Sequence, residues 1–181
     1  MDLNMWFNKG LPVEEYIQSM EKYKEQLLHI YKHFKLPDNR QTLKEIEEKN
    51  LRVIVLTEDW CGDAMLNLPI LLQIAKKTHM DVRILYRDKN LELMDQYLTN
   101  KSRSIPIFIF IDEAGNEVAK WGPRAETVQQ FVDETLASLP AKEDENYEQA
   151  FKKAIQLMTN SYYQNKQLWS DVYNSIIATL K

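Results

Sequence analysis

The chain has 181 residues, 44% of them hydrophobic, and one cysteine, so it is long enough to bury a sizeable core and forms no internal disulfide. A formal net charge of -4, with no basic stripe interleaved with aromatics, excludes the electrostatic signature of a nucleic-acid binder. No apolar run approaches the roughly 20 residues that cross a bilayer, and the segment after Met1 to Phe7 is charged and polar, so neither a membrane partner nor a secretory signal is expected and a reducing, cytoplasmic setting is.

The first element is a helix from Pro12 to Phe34, carried by the stripe Val13, Tyr16, Ile17, Met20, Tyr23, Leu27, Ile30, Tyr31 and Phe34, with Pro12 suited to a first turn. Leu36-Pro37-Asp38 breaks it, and Asp38 or Asn39 is placed to cap a second helix running to about Glu48. Leu51 to Thr57 is short and rich in branched apolar residues, as a buried strand requires, and the next helix starts after Cys61 and runs to about Thr78. A strand at Val82–Tyr86, a helix from Leu91 to about Leu98 and a polar loop at Lys101–Ser104 follow. Ile105 to Ile111 is then a strand, turned by Asp112–Asn116 into a partner strand at Glu117–Trp121. After Gly122-Pro123, a helix from Ala125 to Leu139 ends at Pro140.

That order predicts a mixed sheet with helices on both faces. Beyond a charged stretch at Ala141–Asn146, Tyr147, Phe151, Ala154, Ile155, Met158 and Tyr162 mark a C-terminal helix that resumes through Trp169, Val172, Tyr173, Ile176 and Leu180. Residues 1–37 are thus expected to be an N-terminal helical extension, 38–140 the core and 141–181 a C-terminal helical extension. Helices this apolar must cover themselves, so the three parts are expected to form one compact unit.

Cys61 sits where an apolar strand gives way to a helix, in the run Leu56-Thr57-Glu58-Asp59-Trp60-Cys61-Gly62-Asp63-Ala64. Free N–H groups and the helix dipole stabilise a thiolate at such a place. The competing interpretation is a small buried hydrophobe, the commoner fate of a free cysteine.

Trp60-Cys61-Gly62-Asp63-Ala64 resembles the W-C-G-P-C motif of the thioredoxin family, and Pro69 falls eight residues after the cysteine, where that family carries a helix-kinking proline. Arg103-Ser104-Ile105-Pro106 is similar to the family's R-G-I-P segment, and Gly115 and Gly122 match its terminal hairpin. The resemblance covers roughly Asp38 to Leu139 and implies a three-layer α/β fold with a mixed central sheet, a cis peptide before Pro106, and a backbone at Ile105 that meets a bound peptide strand. It also implies an apolar rim of Trp60, Pro106, Trp121, Gly122 and Pro123 around the sulfur, with Gly62 and Asp63 beside it.

The departures from the pattern define the expected chemistry. Ala64 replaces the resolving cysteine and Val55 the buried carboxylate that relays its proton, so a dithiol cycle cannot run within the chain. Cys61 is left as a monothiol that forms mixed disulfides resolved by an external thiol, its partners being disulfide-containing or thiol-modified proteins and a low-molecular-weight thiol. Asp63, Asp59 and Glu58 oppose the helix terminus, so the thiol is expected to be accessible, with a pKa below that of free cysteine but above strongly oxidising relatives. Arg124 is read as a solvated residue at a helix start rather than as a counter-ion.

The alternative function is a protein-binding module that has kept the fold and lost catalysis, as Ala64 and Val55 would permit. An iron–sulfur cluster is disfavoured, because one cysteine supplies one of four ligands and the acids repel an anionic cluster. His29 and His33 are spaced four apart, yet no third metal ligand is evident nearby, and His79 suits a helix C-terminus. Neither a metal nor a cofactor is therefore expected.

Overall fold

The computed structural model describes residues 2–181. Asp2 caps a first helix, α1 (Leu3–Lys9), its carboxylate accepting from the amides of Asn4 at 2.9 Å and Met5 at 3.3 Å. A two-residue strand β1 (Leu11–Pro12) leads into α2 (Val13–Ser19), α3 (Lys24–His33) and α4 (Arg40–Glu47), and then β2 (Arg52–Thr57), α5 (Gly62–Lys77) and β3 (Asp81–Tyr86). After a 3-10 turn at Arg87–Lys89 come the one-turn α6 (Leu91–Met94), the hairpin β4 (Ile107–Ile111) and β5 (Glu117–Trp121), then α7 (Glu126–Ala137), α8 (Tyr147–Gln164) and α9 (Lys166–Leu180).

The strands form one mixed sheet in the order β1-β3-β2-β4-β5, with β2 and β3 parallel and the other pairs antiparallel. Both faces are covered, and strand alternation assigns the side chains to them. Val53 and Val55 of β2 and Phe108 and Phe110 of β4 enter the larger core, with residues of α3, α5, α7, α8 and α9. Ile54, Leu56, Ile107, Ile109 and Ile111 enter a smaller core closed by Leu3, Trp6 and Phe7 of α1 and by Leu93, Met94 and Tyr97. Cys61 and Ala64 belong to this smaller core. The architecture is the thioredoxin-like α/β fold with helical segments at both ends.

Three local expectations change. The stripe from Pro12 to Phe34 is two helices, because Asp59 intervenes: its carboxylate accepts from the amides of Glu21 at 2.8 Å and Lys22 at 3.3 Å, and Tyr23 turns left-handed with φ 56°. The segment before it carries α1 and the edge strand β1. The expected helix from Leu91 to Leu98 stops at Met94, and Thr99 and Ser102 then exchange backbone hydrogen bonds across left-handed Asn100 and Lys101.

At the C-terminus, α9 buries Leu168, Trp169, Val172, Tyr173, Ile176, Ile177 and Leu180, whereas the longer α8 buries only Ala154, Met158 and Tyr162. Trp169 Nε1 donates to the carbonyl of Tyr162 at 2.7 Å and ties the two together.

Candidate functional site

Strand β2 delivers Glu58–Trp60 to the start of α5, and Cys61 is the N-cap of that helix. Its Sγ accepts from the amide of Ala64 at 3.4 Å and donates to the carbonyl of Ile105 at 3.5 Å. The Ile105–Pro106 and Gly122–Pro123 peptides are both cis. Gly122 has φ 125°, and a Cβ there would run into the carbonyl oxygen of Pro106, so only glycine lets β5 end this close to the Ile105–Pro106 loop. Asn67, fully buried in α5, donates to the carbonyl of Pro123 at 2.9 Å and holds the neighbouring loop.

Cys61 is only 8% exposed, and burial pushes its thiol up to about 11. The charge of Asp63 adds to the rise, while the amides of Ala64 and Asp63 and the guanidinium of Arg124 oppose it. The expectation of an accessible, acidified thiol is corrected here: the helix terminus acts on the sulfur as expected, but loss of water costs the thiolate more than two weak sulfur contacts return. Glu58 and Asp59 are engaged elsewhere, Glu58 accepting from the Asp88 amide at 2.9 Å and Asp59 from the Glu21 and Lys22 amides. Burial raises the Glu58 carboxyl above its ordinary range.

Asp63 is the centre of a polar cluster. Its Oδ1 accepts from Arg124 Nε at 2.8 Å and from the Tyr162 hydroxyl at 2.9 Å, and its Oδ2 accepts from Arg124 Nη2 at 2.8 Å. Arg124 Nη1 donates to Gln129 at 3.0 Å. Arg124 is therefore not the solvated residue expected; it is half-buried in a two-pronged ion pair whose planar geometry suits a carboxylate. Burial and Asp63 raise the Tyr162 phenol well above its usual range and keep it a donor.

A cleft of about 240 Å³ opens onto the sulfur, lined by Tyr23, Trp60, Cys61, Gly62, Asp63 and Arg124 on one side and by Ile155, Met158, Thr159 and Tyr162 of α8 on the other. Trp60 is 44% exposed, with the Arg87 guanidinium 5.0 Å from its ring centroid. Arg87 also donates to the carbonyl of Arg103 at 3.1 Å, linking Trp60 to the loop before Pro106. The expected rim is only partly realised. Trp121 turns into the larger core, stacked on Phe108 at 5.0 Å and donating to Ser175 at 2.8 Å, and Ile105 is buried with its carbonyl engaged by the thiol. Nothing local to the sequence pointed to the α8 wall, since its stripe of apolar residues reads as ordinary core.

Val55 lies buried in β2 between Ile84 and Phe108. His33 Nδ1 lies 2.8 Å from the backbone oxygen of His29, and His79 is 2.8 Å from Glu47 at the end of α5. Among the described residues no three His, Cys, Asp or Glu side chains are grouped to hold a metal ion, and no helix is long and apolar enough to cross a membrane. A larger groove of about 620 Å³ lies between α2, α3, α5 and β3, but its walls carry no cysteine or histidine.

Residues 10–143 match the family described as Thioredoxin. The match begins well before Asp38, so it takes in α2 and α3. No curated protein matches the chain. Among solved structures, an HIV epitope-scaffold aligns over 99% of this chain and 98% of its own at 16% identity and a TM-score of 0.70. A protein of unknown function from Pseudomonas aeruginosa aligns over 98% of each chain at 18% identity and a TM-score of 0.64. At such identities the likeness is one of fold, and its coverage extends through α8 and α9.

Proposed function

The chain belongs to the thioredoxin family, and from that premise we propose that it is a monothiol thioredoxin-like protein of thiol–disulfide exchange. The observation that carries this reading is the placement of the Cys61 sulfur, between the Ala64 amide in the first turn of α5 and the carbonyl before Pro106, at the floor of a cleft. Attack by its thiolate on a disulfide forms a mixed disulfide and releases one thiolate; an external thiol then attacks, frees Cys61 and carries away the second sulfur. Cys61 is the chain's sole cysteine, so resolution comes from outside. With the thiol near 11, roughly one molecule in ten thousand is thiolate at pH 7, which makes the exchange slow in the closed site.

Protein disulfides and thiol-modified proteins are the proposed partners, with a low-molecular-weight thiol as resolving agent and the cytoplasm as setting. The same buried, protonated sulfur favours a second reading, a binding module that uses the fold without the thiol chemistry. Incubating the folded protein with a disulfide and detecting the adduct by intact mass separates the two. The exchange reading expects an adduct on the native chain that a second thiol removes and that Cys61→Ser abolishes; absence of adduct until denaturant is added supports the binding module.

A further inference from the structure

Resting on the reading of Cys61 as an exchange thiol, we propose that α8 restricts the half of the disulfide held against the sulfur to small, uncharged thiols, with Ile155, Met158 and Tyr162 as its specificity-determining residues. The cleft over the sulfur exists only because α8 supplies its second wall. Its volume of about 240 Å³ holds on the order of ten non-hydrogen atoms, by comparison with the ≈ 30 Å³ that a water occupies in the liquid. That is the size of a simple thiol, not of a peptide.

The charges are committed before any ligand arrives. Arg124 is the cation in the wall, and it spends Nε and Nη2 on Asp63 and Nη1 on Gln129. Arg87, beside Trp60, spends Nε on Asp88 and Nη1 on the carbonyl of Arg103. A carboxylate entering the cleft would lose its water and meet cations already paired with acids, Arg124 with Asp63 and Arg87 with Asp88. Asp63 in turn is neutralised by Arg124 and Tyr162 and offers little to an ammonium. What faces the ligand is the ring of Trp60 and the apolar side chains of Met158 and Ile155.

The step itself balances without a cofactor. The Cys61 thiolate attacks one sulfur of R–S–S–R, the new bond forms as the old one breaks, and R–S⁻ departs; a free low-molecular-weight thiol reduces the adduct in the second exchange.

The test uses the reduced full chain and two probes, hydroxyethyl disulfide and glutathione disulfide. Rates of adduct formation are followed by intact mass and normalised to a short unstructured cysteine peptide. The normalised rate should favour hydroxyethyl disulfide by about tenfold or more. Ile155→Lys, which places a free cation on the exposed rim, and Met158→Ala, which widens the cleft, should each narrow that ratio. A normalised glutathione rate equal to or above the other overturns the proposal, as does a ratio that neither substitution moves. If neither probe reacts with the folded chain while both react in denaturant, the exchange reading of Cys61 fails and takes this selectivity with it.

Discussion

The hydroxyl of Tyr162 donates to Asp63 Oδ1 at 2.9 Å across 99 positions of sequence. It makes the C-terminal helix α8 a partner of the first turn of α5, two residues from the thiol, and Arg124 completes the cluster from the other side with a two-pronged ion pair. The carboxylate that most raises the thiol is thus itself held by residues far along the chain.

Tyr162→Phe removes the hydroxyl and leaves the ring. It should lower stability by about 1.5–2 kcal/mol, the lower part of the usual range for a hydrogen bond to a charged group. Arg124→Met should cost more, about 3 kcal/mol, since it leaves a largely buried carboxylate without its cation. Denaturant unfolding with an unchanged slope measures both, and equal losses for the two variants would contradict this account.

Asp63→Asn removes the negative charge nearest the sulfur. The thiol should then ionise at lower pH than in the parent, because burial still raises it but the acid no longer does. Alkylation rate against pH reports the shift directly. A midpoint that stays put would mean that Arg124 already cancels the field of Asp63 at Cys61.

Stability should fall in alkali through the buried thiol. Its folded pKa, about 11, lies above the unfolded value of about 8.5, so between those limits the folded chain binds more protons than the unfolded one. The contribution is intact below the lower limit and is lost as pH rises towards the upper, at up to about 1.4 kcal/mol per pH unit. Tyrosines titrate in the same range, so the comparison is with Cys61→Ser, whose melting temperature should decline less steeply from pH 9 to 11.

Ala64→Cys restores a second sulfur one turn along the helix. The Ala64 amide is 3.4 Å from Cys61 Sγ, and both residues lie in the smaller core, so an intramolecular disulfide should form on mild oxidation and reverse with a dithiol. Reduction of a protein disulfide by this variant should be slow, because Val55 provides no proton relay beneath the pair. Mass analysis of alkylated samples before and after reduction scores the disulfide, and a variant that stays fully reduced in oxidant would show that the cap geometry cannot close.

Much of this molecule was legible in one dimension. Branched apolar runs at Leu51–Thr57 and Ile105–Ile111 mark the buried strands, which form at Arg52–Thr57 and Ile107–Ile111 with alternating residues divided between two cores, and a cysteine between strand and helix marks the N-cap. Those signals are local, because strand and helix periods repeat within a few residues. The order of Trp60-Cys61-Gly62, Pro69 and Ile105-Pro106 carried the family resemblance for the same reason. The helix α1 was missed, although Asp2 followed by Leu3, Trp6 and Phe7 is the pattern of a capped amphipathic helix.

What tertiary structure decided lies in contacts between distant residues. Asp59 splits the N-terminal helix by taking the amides of Glu21 and Lys22, a partnership that no hydrophobic period announces. Arg124 is a buried counter-ion rather than a solvated one because Asp63 and Tyr162 meet it in space. The thiol's pKa is raised because the sulfur is buried in the smaller core against the Ile105–Pro106 loop. Residue type and spacing set which groups are available and which local elements they form; the dielectric, partners and access each group receives are properties of the assembled surface, and these set the chemistry of Cys61.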